Sequence, residues 1–159
     1  MTGTPALLPG PVLARADVST PAILAPVFVQ VALTFVLLFW MGHARFAAVR
    51  AGDVQVKDIA LGQRAWPDRV TQVANAFHNQ FETPVLCYAL VAFALLTRTA
   101  DLLFVLLSWL FVLSRLAHAY VYATSNTVMT RFRIFLAGTL VLMAMWGIFA
   151  VRVLLAGPA

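Results

Sequence analysis

The chain has 159 residues, 62% of them hydrophobic and 11% charged, with eleven Lys and Arg against six Asp and Glu. Soluble domains carry about 25% charged residues, so this composition, at a mean hydropathy of +0.90, describes one compact membrane unit of a few spans. The formal charge of +5 reports topology and contact with anionic lipid headgroups: no basic run or Arg/aromatic interleaving speaks for nucleic acid. The single Cys87 excludes an intrachain disulfide and a multi-cysteine metal site, and its apolar setting marks it as a small buried hydrophobe.

Residues 1–20, with Pro5, Pro9 and Pro11, read as an irregular tail, and no charged start precedes a short apolar core as in a cleaved signal peptide. From Pro21 to Gly42 no charge interrupts a stretch long enough to cross a bilayer of roughly 30 Å, with Trp40 placed for the interface. Residues 43–70 mix His43, Arg45, Arg50, Lys57, Arg64 and Arg69 with Asp53, Asp58 and Asp68 and form the long polar loop. A second helix is expected over 71–97, capped by Asp68 or Thr71 and kinked by Pro84. The short turn 98–101 makes the third span, 102–123, its antiparallel neighbour, and a polar connection through Arg131 and Arg133 leads to the fourth, 134–151. The fold expected is an all-α, four-helix transmembrane bundle.

Two polar stripes interrupt this apolar frame. Asn75, His78, Asn79 and Glu82 recur at i, i+3, i+4 and i+7 at the head of the second span, and Arg115, His118 and Tyr122 at i, i+3 and i+7 near the end of the third. An intramembrane carboxylate costs roughly 2.5–3.5 kcal/mol on insertion scales, so Glu82 must face protein, water or ligand. Five Lys and Arg in 43–70, with Arg131 and Arg133 in the third loop, place loops 43–70 and 124–133 in the cytoplasm and both termini outside. Both stripes then lie at the cytoplasmic end and can meet.

One use for such stripes is structural: Glu82 pairs with Arg115, and amides and histidines bond across the bundle. A metal held by His78, Glu82 and His118 has Arg115 against it, and no metal site is expected. A proton path would need more acids than Glu82 inside the spans, and no serine stands beside a base for nucleophilic catalysis. Two amides, two histidines, two arginines, an acid and a tyrosine at one level instead fit a hydrated site for a polar anionic molecule.

Asn79-Gln80-Phe81-Glu82-Thr83, with Pro84 close behind, resembles the Asn-x-x-Glu signature of the MAPEG family, the membrane-associated proteins in eicosanoid and glutathione metabolism. Arg115-x-x-His118-x-x-x-Tyr122 followed by Arg131 resembles that family's third-helix motif and the arginine of its fourth helix. The resemblance covers nearly the whole chain. It implies a homotrimer with glutathione between neighbouring subunits near the cytoplasmic face, in a bacterial-type inner membrane or an equivalent.

Asn79 and Glu82 would then contact glutathione, Glu82 at its amino end, with Asn75 and His78 beside them. Arg115, His118 and Tyr122 would hold its peptide and carboxylates, and Arg45 would match a first-helix arginine. Arg131 would be the catalytic group, since a neighbouring cation lowers a thiol's pKa. Many glutathione-binding members carry arginines where this chain has Asn75 and His78, and some catalytic members a serine where it has Phe132. The function implied is a glutathione-dependent transferase or peroxidase acting on a hydrophobic small molecule from the bilayer. The alternative is a non-catalytic lipid-binding or accessory subunit on the same scaffold.

Overall fold

The computed structural model describes residues 18–60 and 65–155, so nearly all of the tail expected over 1–20, and Arg64, lie outside the described residues. Five α-helices run in the order α1 (Thr20–Ala51), α2 (Asp68–His78), α3 (Thr83–Leu96), α4 (Leu102–Ala123) and α5 (Val128–Leu155). By length and composition α1, α2 with α3, α4 and α5 make four helices able to cross a membrane.

α1 does not end near Gly42. It continues through residues 43–51, about 13 Å further, because one glycine costs a helix only about 1 kcal/mol and Ala, Arg and Phe around it favour helix. The stop is Gly52, whose left-handed φ of 81° lets its N–H reach the Val49 carbonyl and that of Asp53 the Ala48 carbonyl. Much of the expected polar loop is therefore helix.

α2 starts at Asp68 without a side-chain cap from either Asp68 or Thr71. Pro67, at φ −55° and ψ 150°, fixes the extended entry instead, and Asp68 adds its charge to the first turn. The break expected at Pro84 is present. A single 3₁₀ turn, Asn79–Phe81, follows α2, Glu82 leaves helical geometry at φ −95° and ψ −107°, and Pro84 opens α3. α5 begins at Val128, so Arg131 and Arg133 sit on its first turns rather than in a loop.

Ile23, Leu90, Phe111, Leu142 and Met145 form the main core across α1, α3, α4 and α5. α4 and α5 make the most extensive pair. Gly138 is required there, because a Cβ would run into the Ser114 hydroxyl of α4. Large apolar side chains such as Phe28, Phe35, Phe39 and Leu140 point outward, as a lipid-facing surface allows.

The two ends of the bundle are fastened differently. At one end Arg152 closes a 2.7 Å ion pair with Asp101, whose Oδ1 also accepts from the Phe104 N–H, 3.0 Å away, to cap α4. At the other, Arg69 donates to the Ala123 carbonyl at 2.5 Å and Gln72 to those of Tyr122 and Thr124 at 2.7 and 2.9 Å. These bonds satisfy carbonyls that the end of α4 leaves open, and they lock α2 beside it.

Candidate functional site

The basic end also holds the polar stripes. On α4, Phe111, Arg115, His118 and Tyr122 follow one another at i, i+4, i+7 and i+11 along one face, turned toward α2 and α5. Arg115 is 1% exposed, which makes it one of the largest fully buried side chains. Its guanidinium donates to the side-chain oxygen of Asn79, and at 3.4 Å to the Asn79 carbonyl, while lying 5.6 Å from the centre of the Phe135 ring. The Asn79 amide nitrogen in turn donates to Glu82 Oε2 at 2.6 Å.

Asn79 thus links the cation and the acid, with its oxygen toward one and its nitrogen toward the other. A direct Glu82–Arg115 ion pair, the structural use expected for the stripes, is not formed. The helix break explains the offset. The 3₁₀ turn advances about 120° per residue instead of 100°, so Glu82 leaves the face on which regular α-helical spacing would stack it.

Beside this string lies a cavity of about 260 Å³, walled by Asn79, His118, Tyr122, Arg131, Phe132 and Phe135. His118 is buried, packed edge-on to Tyr122 at 5.7 Å and against Phe135 at 5.6 Å, and its Nδ1 has no partner. Arg131 covers the Tyr122 ring at 3.9 Å and donates to Asn126 Oδ1 at 2.6 Å. Both contacts hold the guanidinium without neutralising it. No carboxylate is among the walls.

The structure therefore brings together Asn79, Glu82, Arg115, His118, Tyr122 and Arg131. Asn75 and His78 are exposed on α2, apart from the cavity. Arg45 stacks 5.2 Å from the Trp66 ring, also outside it. His78 is exposed and His118 buried, and among the described residues no three His, Cys, Asp or Glu side chains gather as metal ligands.

Three features in or beside the site escaped sequence reasoning. Asn126 was read only as connection, and Phe135 as apolar span. Gln80, inside the Asn79–Glu82 motif, is 1% exposed and accepts a 2.9 Å bond from Gln30, equally buried on α1. Gln30 is the one amide in the uncharged run 21–42, and that isolation was the available signal.

A bundle of four membrane-length helices, with a polar cavity at one end, marks an integral membrane protein. The chain belongs to the MAPEG family, whose family profile matches residues 23–151. No individually curated protein and no solved structure matches it.

Proposed function

We propose that the protein is a glutathione-dependent transferase or peroxidase acting on lipophilic electrophiles from the bilayer. The observation that carries this reading is charge imbalance. Arg115 is buried with amide and carbonyl acceptors in place of a carboxylate, Arg131 is held by an amide and a ring face, and no acid lines the cavity between them. Buried cations need a counter-charge, and a thiol peptide with two carboxylates supplies it. Glu82, on the outer side of Asn79, suits the peptide's ammonium group.

Arg131 would stabilise the thiolate, which attacks the electrophilic carbon to form a C–S bond as a leaving group departs, or as the attacked double bond or epoxide C–O bond opens and is protonated. With a hydroperoxide the thiolate attacks the terminal oxygen, the O–O bond breaks to release the alcohol, and a second glutathione reduces the resulting sulfenic acid to disulfide and water. The cavity is open on one side, and in a homotrimer a neighbouring subunit would complete it, with the basic loops in the cytoplasm.

Thermal unfolding with added glutathione tests the reading. At a hundred times its dissociation constant glutathione should stabilise the parent by about 2.7 kcal/mol. Glu82→Gln and Arg131→Ala should fold nearly normally and gain much less. Arg131→Ala should also slow conjugation more at neutral than at alkaline pH, where the thiol ionises unaided. A parent unmoved by millimolar glutathione would discard the enzyme and leave the accessory subunit.

A further inference from the structure

Asn79 and Gln80 are neighbours on the 3₁₀ turn, and successive residues of such a turn point about 120° apart. Asn79 meets Arg115 of α4, and Gln80 meets Gln30 of α1. The buried Gln80 side chain is used at both of its polar atoms. Nε2 donates at 2.9 Å to the carbonyl of Ala76, among the last four of α2, which a helix end leaves without intrahelical partners. Oε1 accepts at 2.9 Å from Gln30 Nε2, so the two amides clasp α1 to the turn.

The backbone gives that turn weak support. It is three residues long, and 3₁₀ hydrogen bonds have poorer geometry than α-helical ones. Glu82 has left helical geometry, and Pro84 has no N–H to offer the Gln80 carbonyl four residues back. Yet Asn79 must keep its oxygen toward Arg115 and its nitrogen toward Glu82, which a rotation of the turn would undo. The clasp is also poorly suited to stability for its own sake. Gln30 Oε1 is buried without a partner, and two apolar side chains of similar shape would join the elements without stranding it. A polar link specifies one geometry where an apolar contact allows several.

We propose that Gln30 and Gln80 are positioning residues for the cationic site: their clasp fixes the rotation of the turn and so sets Asn79 between Arg115 and Glu82. Neither amide is among the cavity walls, so they act on a ligand there only through Asn79. The side of the turn that faces α1 thereby governs the side that faces α4. This link is a property of the ligand-free protein. Only its effect on affinity rests on the glutathione reading.

Nuclear magnetic resonance of the intact protein in detergent micelles tests it, with nitrogen-15 placed in asparagine so that the side-chain amides of Asn75, Asn79 and Asn126 are seen. The Asn79 signal is identified by its loss in Asn79→Ala. In the paired Gln30→Leu/Gln80→Leu variant, which leaves neither amide stranded, hydrogen exchange at the Asn79 amide should quicken about tenfold. Exchange at Asn126 should stay as in the parent, and the melting temperature should equal or exceed the parent's. Gln30→Met, which keeps the bond from Gln80 to Ala76, should quicken Asn79 exchange by a smaller factor. Glutathione should bind the paired variant about tenfold more weakly than the parent, the worth of one hydrogen bond. A parent that does not bind glutathione at all sinks the glutathione reading, and the Asn79 amide then decides the clasp. The proposal is overturned if Asn79 stays as protected as in the parent, or if glutathione affinity is retained where the parent binds. It is overturned too if Asn79 and Asn126 loosen alike with a lower melting temperature, which would make the amides part of the frame.

Discussion

The two ends of the bundle treat arginine in opposite ways. At the end holding the 98–101 turn, Arg152 meets Asp101 directly at 2.7 Å and also donates to the Thr99 carbonyl at 3.2 Å. At the basic end, Arg69 meets backbone carbonyls, Arg45 a Trp ring, Arg131 an amide and a Tyr ring, and Arg115 only Asn79 and Phe135. Each basic-end arginine is positioned, yet none has a carboxylate within ion-pair distance among the described residues. An ion pair finishes a structure, whereas a cation steered by neutral groups keeps its field for something else. The contrast separates an end closed by an ion pair from an end whose arginines meet only neutral groups.

The sharpest way to break the contrast is to replace one arginine at each end by methionine, which keeps much of the length and removes the charge. Exchanging a buried ion for an apolar side chain is often neutral or stabilising when no opposite charge is left behind. Arg115→Met should therefore melt at or above the parent temperature, and it should lose nearly all of the roughly 2.7 kcal/mol that glutathione confers at a hundredfold excess over its dissociation constant. Arg152→Met removes the ion pair with Asp101 and the bond to the Thr99 carbonyl, and should lose stability while responding to glutathione as the parent does. If Arg115→Met unfolds with a loss of 3 kcal/mol or more, Arg115 is structural and the ends are alike.

Removing the acid at each end probes the same difference with a smaller effect. Asp101→Ala loses a helix cap, about 1 kcal/mol, and a partly exposed ion pair of roughly 0.2–1 kcal/mol. Denaturant unfolding should show a loss of 1–2 kcal/mol, and Asp101→Asn, which can still cap, should recover about half. Glu82 is exposed and bonded to Asn79, so Glu82→Gln should cost less than about 0.5 kcal/mol. A Glu82→Gln loss matching that of Asp101→Ala would make Glu82 part of the frame.

Much of this was legible in the sequence, and the residues show why. Apolar runs marked the four spans, and Pro84 marked the break because a residue without an N–H cannot continue the helix hydrogen-bond ladder. Arg115 and Asn79 could be placed together because each heads or ends a span on the same side. What stayed hidden depended on geometry finer than spacing. The 3₁₀ turn changed the angular period inside the motif and split a stripe that looked continuous, so that Asn79 meets Arg115 while Glu82 does not. Gln30 has no polar companion at helical spacing on α1, and its partner is fifty residues away. The extra turns of α1 were missed because the charged residues after Gly42 were read as loop, whereas the left-handed conformation that stops the helix is at Gly52.

The smallest effects come from the two short connections, each of which holds one residue in left-handed geometry: Arg98 at φ 52° in the closed end and Asn126 at φ 50° in the basic end. For an ordinary side chain that region costs roughly 1–2 kcal/mol, whereas asparagine adopts it more readily. Glycine removes the strain but loosens the unfolded chain, giving back about 0.4–1 kcal/mol. Arg98→Gly should therefore stabilise the protein by about 0.5–1 kcal/mol and leave glutathione binding alone. Asn126→Gly should scarcely change stability, since there is less strain to relieve. It does remove the 2.6 Å bond that holds Arg131 over the Tyr122 ring, so a few-fold weaker glutathione affinity should follow. Calorimetric titration of both variants decides the matter: equal affinities would mean that Arg131 is held by the Tyr122 ring alone. A loss confined to Asn126→Gly would show that this turn keeps its asparagine for the site rather than for the fold.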